Sequence, residues 1–209
     1  MSQNAWNLTY REVIGLTTLA YKDYGKTAGS YRLPGGNVWT VTEIIEMNSF
    51  RAIIAAGKAG KIMSFSGSDD PGDWAGSGAA WDGTNLTSGL YGSTGTDQYE
   101  IGAARAVQRR PDMVVGHSLG GGIASYVTYR TGIKSVTINP APLVGTEFVK
   151  FRKTPLVINY VVEGEALSYA RKIYPCAGQS IIVYSSASGM VNKHCLPWLT
   201  GFSIPEKIS

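Results

Sequence analysis

Five short apolar runs recur along the chain, and longer segments with helical or loop-like patterns separate them. Runs of this kind are typical of strands that are buried on both faces of a parallel sheet. The runs are centred on Ile62, Val114, Val136, Ile158 and Ile182. Their alternation with helical segments predicts an α/β fold, in which helices cover both faces of a mainly parallel central sheet.

The remaining segments carry weaker patterns. Apolar residues at helical spacing predict helices over residues 9–24 and 97–109. Residues 29–37 are rich in Gly and predict a loop, and residues 39–41 predict a short edge strand. The β-branched content of residues 43–56 favours a pair of strands, with a helix as the alternative.

The chain length, without any linker-like segment, predicts one domain over residues 1–209. Within it, residues 75–96 are rich in Gly, Ser and Thr and carry scattered aromatic and leucine side chains. A loop of this length in a compact domain is usually functional or mobile. We therefore weigh two interpretations of this segment: a lid over a site, and a solvated excursion that aromatic side chains hold in place.

A strand-to-helix turn in the middle of the chain carries the strongest chemical signal. Gly116-His117-Ser118-Leu119-Gly120 follows the apolar run at Val114 and precedes a helical segment. A G-x-S-x-G motif in this context is typical of a nucleophile elbow, in which a tight turn exposes the serine Oγ above the carboxyl end of a strand. The competing interpretation is a Gly-rich turn that contains a serine by chance. A phosphate-binding loop fits less well, because neither G-x-G-x-x-G nor Gly-Lys-Ser/Thr is present.

A serine hydroxyl becomes a good nucleophile when a base accepts its proton, and the chain has two histidines. His117 lies inside the motif, where the turn directs its side chain away from Ser118. His194 is therefore the candidate base, and it follows the last predicted strand, at the same edge of the sheet. The alternative is a structural or merely exposed histidine.

Three carboxylates lie between the candidate nucleophile and the candidate base, which is where hydrolases with this elbow carry their acid. They are Glu147, Glu163 and Glu165. The last two directly follow the predicted strand around Ile158, and Gly164 between them suits a sharp turn. We expect one of the pair to face the histidine. We favour Glu165 and keep Glu163 as the alternative acid; in the competing interpretation both are solvent-facing loop charges.

Two backbone N–H groups are candidates for stabilising an oxyanion. Leu119 directly follows Ser118 in the first turn of the predicted helix, where N–H groups have no intrahelical acceptor. A second donor is expected from the turn after the strand around Ile62, and Gly67-Ser68 is placed to supply it. Ser68 offers a backbone N–H and a hydroxyl. The alternative is a plain turn at the end of a strand.

Composition and charge narrow the classes of partner. The formal net charge is +4, and basic residues cluster only at residues 109–110 and 150–153. This favours ordinary solubility or a weak attraction to anionic surfaces over nucleic-acid binding. No run reaches the ~18 apolar residues of a membrane span, and the N-terminus lacks the features of a Sec signal peptide. We expect a protein that is cytoplasmic or exported by a signal-independent route.

Metal and disulfide chemistry have little support in the sequence. With two histidines and no Cys–His spacing, we expect neither a metal nor another cofactor. Cys176 and Cys195 form either two thiols or one bridge, and both possibilities stay open.

Taken together, these residues resemble the class 3 lipase family of the α/β-hydrolase superfamily. Residues 65–68 followed by Asp73-Trp74 look like the family's Phe-Arg-Gly-Thr/Ser…Asp-Trp segment, with Ser66 in place of the usual Arg. Members often have Gly-Asp-x-Val where this chain has Gly164-Glu165-Ala166-Leu167. Other similar segments are the elbow, Gln98-Tyr99 before it and Asn139-Pro140-Ala141 after it.

The resemblance implies an α/β-hydrolase-type fold and the hydrolysis of lipid esters by a small lipase- or phospholipase-like protein. Ser118 would be the nucleophile and His194 the base, with oxyanion donors at Ser68 and Leu119, while the acid stays open between Glu165 and Glu163. The expected reaction passes through an acyl-enzyme, and the expected substrate is a lipid or phospholipid at a membrane or micelle surface. The alternatives are an acyltransferase or thioesterase with the same residues, and an inactive hydrolase fold that serves as a binding module.

Overall fold

The computed structural model of the chain describes residues 4–47, 50–67, 96–143, 145–195 and 205–208. The candidate oxyanion residue Ser68 lies outside these ranges, and so does the predicted lid except for its last residue, which begins a helix. Those two predictions and the single-domain organisation therefore stay predictions.

The strands are, in chain order, β1 (Asn4–Ala5), β2 (Leu8–Thr9), β3 (Gly29–Arg32), β4 (Val38–Met47), β5 (Phe50–Gly57), β6 (Gly60–Phe65), β7 (Met113–His117), β8 (Lys134–Ile138), β9 (Val157–Val162), β10 (Gln179–Val183) and β11 (Glu206–Lys207). The α-helices are α1 (Tyr10–Ala20), α2 (Thr96–Arg109), α3 (Leu119–Thr131), α4 (Ser168–Ile173) and α5 (Met190–His194). Two single-turn 3-10 helices span Thr146–Phe148 and Phe151–Lys153.

Nine of the described strands form one mixed sheet in the order β10-β9-β8-β7-β6-β5-β4-β3-β11. The strands from β10 to β6 are parallel to one another. The strands from β5 to β11 pair antiparallel with their neighbours. Only β5 and β3 run against the common direction, so the sheet is mostly parallel, and the α/β class is confirmed. Its antiparallel part arises because short turns, such as the one between β5 and β6, reverse the chain without a crossover helix.

The least regular part of the sequence folds into strands. Residues 43–56 lie in the antiparallel pair β4–β5, so the strand-pair prediction is confirmed and the helical alternative is wrong. The predicted edge strand over residues 39–41 lies inside β4, with β3 on its other side. β3 occupies part of the predicted loop, and its four residues are too few to show a periodic pattern.

Helices cover both faces of the sheet, as predicted, because successive residues of a buried strand point to opposite sides. Val115 of β7 packs in a cluster with Leu16 and Leu19 of α1. Its neighbour Val114 packs in a second cluster, to which α2 and α3 contribute residues such as Ile123. β7 is therefore buried between helices on both sides, and its carboxyl end carries the elbow.

α1 begins at a capping box. Thr9 Oγ1 accepts the N–H of Glu12, and Glu12 Oε2 accepts the N–H of Thr9 at 3.0 Å. Glu12 has no exposed surface, and its second oxygen accepts the indole N–H of Trp39 at 3.1 Å. Lys58 Nζ lies 3.3 Å from Oε2. A buried carboxylate thus joins the start of α1 to β4.

α1 ends at Ala20, four residues before the predicted end, because Tyr21 adopts an extended backbone. The guanidinium of Arg51 on β5 binds carbonyl groups in and beyond the last turn, including those of Ala20 and Gly25. This buried side chain replaces the helical hydrogen bonds that a longer α1 would have made.

Candidate active site

Ser118 occupies the turn between β7 and α3, with φ 55° and ψ −123°. A residue with a side chain adopts a positive φ only when its surroundings hold it there. Three backbone hydrogen bonds do so. The Ser118 N–H donates to Ile138 O at 3.1 Å, and Ser118 O accepts from Gly122 N–H at 3.1 Å and Ala141 N–H at 2.9 Å. The backbone of the turn is therefore fixed by both β8 and α3.

Two glycines of the motif allow the chain to turn so tightly. A Cβ on Gly116 would lie 2.1 Å from Gly120 O, and a Cβ on Gly120 would lie 2.4 Å from Phe65 O. Both distances are far below any van der Waals contact, and the opposing atoms are backbone oxygens that cannot rotate away. The motif therefore has the close backbone packing that an elbow needs.

The structure brings together the three residues that the sequence singled out for proton transfer. His194 Nε2 lies 2.8 Å from Ser118 Oγ, although the two residues are 76 positions apart. His194 Nδ1 is hydrogen-bonded to Glu165 Oε2. Each of the three residues is less than a tenth exposed. They form one hydrogen-bonded row, which we call the Ser–His–Glu row.

Glu165, and not Glu163, is the carboxylate that contacts the histidine. Glu163 follows β9 and is exposed to solvent. Gly164 then adopts φ 71°, a conformation that favours glycine, and the chain turns so that Glu165 is completely buried. Glu147 lies elsewhere, in the 3-10 helix Thr146–Phe148. The geometry thus agrees with the preferred candidate and leaves the alternative acid at the surface.

Further hydrogen bonds fix the Glu165 carboxylate. Oε2 accepts the N–H of Leu167 at 3.0 Å, and Oε1 faces the hydroxyl of Ser168 at 3.5 Å. Oε1 also pairs with Nη2 of Arg171, a side chain that is 8% exposed. No local sequence pattern singles out Arg171, because α4 is a short helix whose contacts depend on the tertiary fold.

The surroundings keep His194 neutral at rest. Burial, and in second place the positive charge of Arg171, lower the pKa of His194 from 6.5 to about 3. In a neutral ring the proton belongs on Nδ1, since Nδ1 faces a carboxylate. Nε2 then carries the free lone pair and accepts the hydrogen bond from Ser118 Oγ. A neutral imidazole in this tautomer is able to accept a proton from the serine.

The second histidine supports the backbone of the first. His117 Nε2 donates to the carbonyl oxygen of His194 at 2.7 Å, and its Nδ1 accepts from the hydroxyl of Tyr21 at 2.6 Å. Burial and the nearby His194 hold the pKa of His117 well below its ordinary value. Asn139, which follows β8, donates to the carbonyl oxygens of Lys193 and His194 at 3.2 and 3.4 Å. Side chains from the ends of β7 and β8 thus hold the last turn of α5.

One candidate oxyanion donor, Leu119, belongs to the elbow itself, and the other, Ser68, follows β6 in the sequence. Leu119 is the first residue of α3, so its N–H belongs to the turn that has no intrahelical acceptor. Gly67, the residue before Ser68, lies beside the nucleophile candidate, where a Cβ would be 3.3 Å from Ser118 Cβ. The chain therefore reaches the elbow at Gly67, and the donor role of Ser68 stays a prediction.

Other chemistry has little support in the part of the chain that the structure describes. Among those residues, no group of three or more His, Cys, Asp or Glu side chains is arranged to hold a metal ion. The helices described there are too short or too polar to cross a membrane. Cys176 and Cys195 are free thiols, and burial raises the pKa of Cys176 to about 11.

Fold and site together define an α/β protein with a serine, a histidine and a glutamate aligned at the carboxyl edge of its parallel strands. A family model described as phospholipase-like, the Tle-like phospholipase domain, matches residues 21–197. The chain belongs to this family. The matched range contains the whole Ser–His–Glu row, and the phospholipase-like description agrees with the expectation of a lipid-ester hydrolase. No curated protein matches the chain.

Proposed function

We propose that this protein is a serine hydrolase that cleaves carboxylic esters of phospholipids, in the manner of a phospholipase A. The Ser–His–Glu row is the single observation that carries the chemistry, with 2.8 Å between Ser118 Oγ and His194 Nε2. Membership of a phospholipase-like family supplies the substrate class. His194 is held neutral by its surroundings, which is the protonation state that this chemistry requires of the base.

In the first half of the reaction, Ser118 Oγ attacks the ester carbonyl carbon while His194 Nε2 takes the hydroxyl proton. The carbonyl π electrons move to oxygen, and the N–H of Leu119, together with Ser68, stabilises the resulting oxyanion. The tetrahedral intermediate then collapses, and the bond to the leaving alcohol breaks. His194 gives its proton to that alcohol, which departs as a lysophospholipid and leaves an acyl group on Ser118.

In the second half, His194 takes a proton from a water molecule that attacks the acyl carbonyl. The new tetrahedral intermediate collapses, the bond to Ser118 Oγ breaks, and His194 returns its proton to the serine. A free fatty acid is released. Glu165 remains a carboxylate throughout, because its task is to hold the Nδ1–H tautomer and to stabilise the imidazolium that forms in each half.

The finer assignment to the class 3 lipases of the α/β-hydrolase superfamily is part of the same proposal. It is supported by the strand–turn–helix context of Ser118 and by the chain order of nucleophile, acid and base. It is also supported by the parallel strands from β6 to β10, whose carboxyl ends carry the site. In this proposal the substrate is met at a membrane or micelle surface.

The test is covalent labelling with a fluorophosphonate probe, combined with fatty-acid release from mixed micelles of phosphatidylcholine and detergent. We expect one adduct, on Ser118, that depends on His194. Ser118→Ala is expected to lower hydrolysis by about a million-fold, as in other enzymes that lose the nucleophile. Ser125→Ala is the matched control, since this buried serine on α3 donates to Gly121 O and faces no base.

Three outcomes would contradict the proposal. Ser118→Ala with more than about one hundredth of wild-type activity would exclude this nucleophile. Acyl products formed preferentially with an added alcohol or thiol acceptor would indicate an acyltransferase. A wild-type protein that neither labels nor hydrolyses in detergent micelles would favour an inactive hydrolase fold that serves as a binding module.

A further inference from the structure

Arg171 extends the Ser–His–Glu row by one charged side chain. Its Nη2 pairs with Glu165 Oε1, the carboxylate oxygen that does not face the histidine. Its Nη1 donates to Pro140 O at 3.2 Å. The guanidinium is therefore fixed at two points, by the carboxylate and by the segment after β8 whose Ala141 N–H binds Ser118 O.

A carboxylate buried against a neutral imidazole needs such a partner. Glu165 has no exposed surface, and in the resting state the neutral His194 offers it a hydrogen bond without a compensating charge. An uncompensated buried carboxylate tends to take up a proton. A protonated Glu165 would neither hold the Nδ1–H tautomer nor stabilise the imidazolium. The charge of Arg171 opposes that protonation.

The length of the glutamate side chain is a second reason why Glu165 needs a partner such as Arg171. A glutamate has one more rotatable bond than the aspartate found in many hydrolases, so its carboxylate has more conformations to lose. The Leu167 N–H fixes one oxygen and Arg171 fixes the other. The planar fork of an arginine suits this task better than the point charge of a lysine.

We propose that Arg171 is a positioning residue for the proposed hydrolysis, holding the buried Glu165 carboxylate ionised and aimed at His194. The inference rests on the proposed function. The positive charge of Arg171 also acts on His194. A guanidinium on one side of the Glu165 carboxylate disfavours the formation of an imidazolium on the other side. In the part of the chain that the structure describes, the other titratable groups near His194 include His117, which is neutral, Tyr21 behind it, and the adjacent Lys193 and Cys195.

The sign of the effect on pH dependence follows from this arrangement. Hydrolysis requires a neutral His194, so the acid limb of the kcat/KM profile reports the pKa of His194. Arg171 lowers that pKa, and the wild-type acid limb is therefore expected below the ordinary histidine value of 6.5. Arg171→Gln removes the positive charge, so the pKa of His194 rises and the acid limb moves to higher pH.

The experiment compares wild type with Arg171→Gln and Arg171→Lys. For Arg171→Gln we expect kcat to fall by about tenfold to a hundredfold, by analogy with the outer partners that orient metal-ligating histidines, with KM little changed. Arg171→Lys keeps the positive charge and loses the planar guanidinium. For this variant we expect the acid limb near its wild-type position and a kcat between those of wild type and Arg171→Gln. Arg130→Gln is the control, since Arg130 pairs with Glu100 at the exposed surface.

A second measurement does not depend on catalysis. The chain has two histidines, so proton NMR shows two sets of ring signals, and His117→Gln assigns them. We expect the His194 ring to titrate at higher pH in Arg171→Gln than in wild type. If Arg171→Gln does not fold, the same comparison is made with Arg171→Lys, whose expected result is a reduced kcat with a wild-type titration.

The outcomes separate this inference from the proposed function. Unchanged kcat and unchanged titration in Arg171→Gln would overturn it. So would a reduced kcat with an unmoved acid limb and no recovery in Arg171→Lys, which would indicate a purely structural arginine. Retained activity in Ser118→Ala would instead overturn the proposed function, and the NMR titration would still report whether Arg171 acts on His194.

Discussion

Two glutamates of this protein, Glu12 and Glu165, are completely buried. Both accept a backbone N–H from a neighbouring turn, and both pair with a cation, Lys58 for Glu12 and Arg171 for Glu165. They differ in their third partner. Glu12 accepts the indole N–H of Trp39, whereas Glu165 faces an imidazole that in turn contacts Ser118 Oγ.

The difference teaches that burial and complete hydrogen bonding are not by themselves signs of function. An indole N–H is a donor only and does not ionise near neutral pH, so Trp39 cannot take a proton from or give one to Glu12, and the network stabilises the fold. An imidazole nitrogen can accept and release a proton, so the network around Glu165 is able to move one between Ser118 and His194. Substitutions of individual glutamates separate these two kinds of buried carboxylate.

The largest effect is expected for Glu165→Gln. The amide keeps the size of the side chain but not its charge, so it cannot stabilise an imidazolium or enforce the Nδ1–H tautomer. We expect kcat for phospholipid hydrolysis to fall by about ten-thousand-fold, the loss seen when the acid of a serine hydrolase becomes an amide. Steady-state kinetics measures it, with thermal unfolding to show that the protein is folded. A kcat within about tenfold of wild type would exclude Glu165 as the acid.

The matched change on the other glutamate, Glu12→Gln, is expected to act on stability alone. The amide nitrogen faces a donor, either Trp39 Nε1 or the Thr9 N–H, and the pairing with Lys58 is lost. Replacing hydrogen bonds to a charged group in this way costs about 2 kcal/mol of unfolding free energy. Urea denaturation measures the loss, and kcat per folded molecule is expected to stay at the wild-type value. A lower kcat per folded molecule in Glu12→Gln would contradict the purely stabilising role of Glu12.

A smaller effect is expected in the pH dependence of stability. Burial raises the pKa of Glu12, but the hydrogen bonds from Thr9 and Trp39 and the charge of Lys58 outweigh it and hold that pKa below its ordinary value. A depressed folded-state pKa contributes stability that is present above the unfolded-state pKa and is lost as the pH falls through the folded-state pKa. Wild type is therefore expected to lose stability in the acid range more steeply than Glu12→Gln. Equal slopes in urea denaturation at several acid pH values would contradict this.

The smallest effect is expected for Glu163→Gln. Glu163 is exposed, and its backbone N–H, which donates to Val183 O, is unaffected by the substitution. Both the unfolding free energy and kcat are expected to stay near wild type, within about 0.5 kcal/mol for stability. This variant has the same chemical change as Glu165→Gln two residues away. A large loss of kcat here would favour the alternative acid.

The sequence was most informative where a single local pattern carried the information. The apolar runs predicted the parallel strands, since each run lies within a few consecutive residues. The motif around Ser118 predicted the elbow, and the small number of histidines left His194 as the candidate base. Gly164 indicated where the chain turns after β9. The residues chosen in this way are neighbours in the structure, and their catalytic roles are the subject of the proposed tests.

What the sequence did not reveal depends on contacts between distant residues. Tyr21 and His117 are 96 positions apart, and no local pattern links a tyrosine after α1 to a histidine in the elbow. Arg171 belongs to a six-residue helix, which is too short for a periodic signal. The early end of α1 has the same origin, because it requires Arg51 from β5. Each of these features exists only after the sheet has brought the segments together.

The packing of the elbow limits how this protein can diverge. At Gly116 and Gly120 a single added methyl group would overlap a backbone oxygen, so each position admits one amino acid whatever the rest of the chain becomes. Gly132 and Gly189 differ, since no heavy atom of the described residues, apart from the adjoining chain, lies within 4 Å of a Cβ placed there, and an asparagine fits their backbone conformation with modest strain. Over long evolutionary times, the two elbow glycines are expected to remain recognisable in distant relatives after most surface positions have changed.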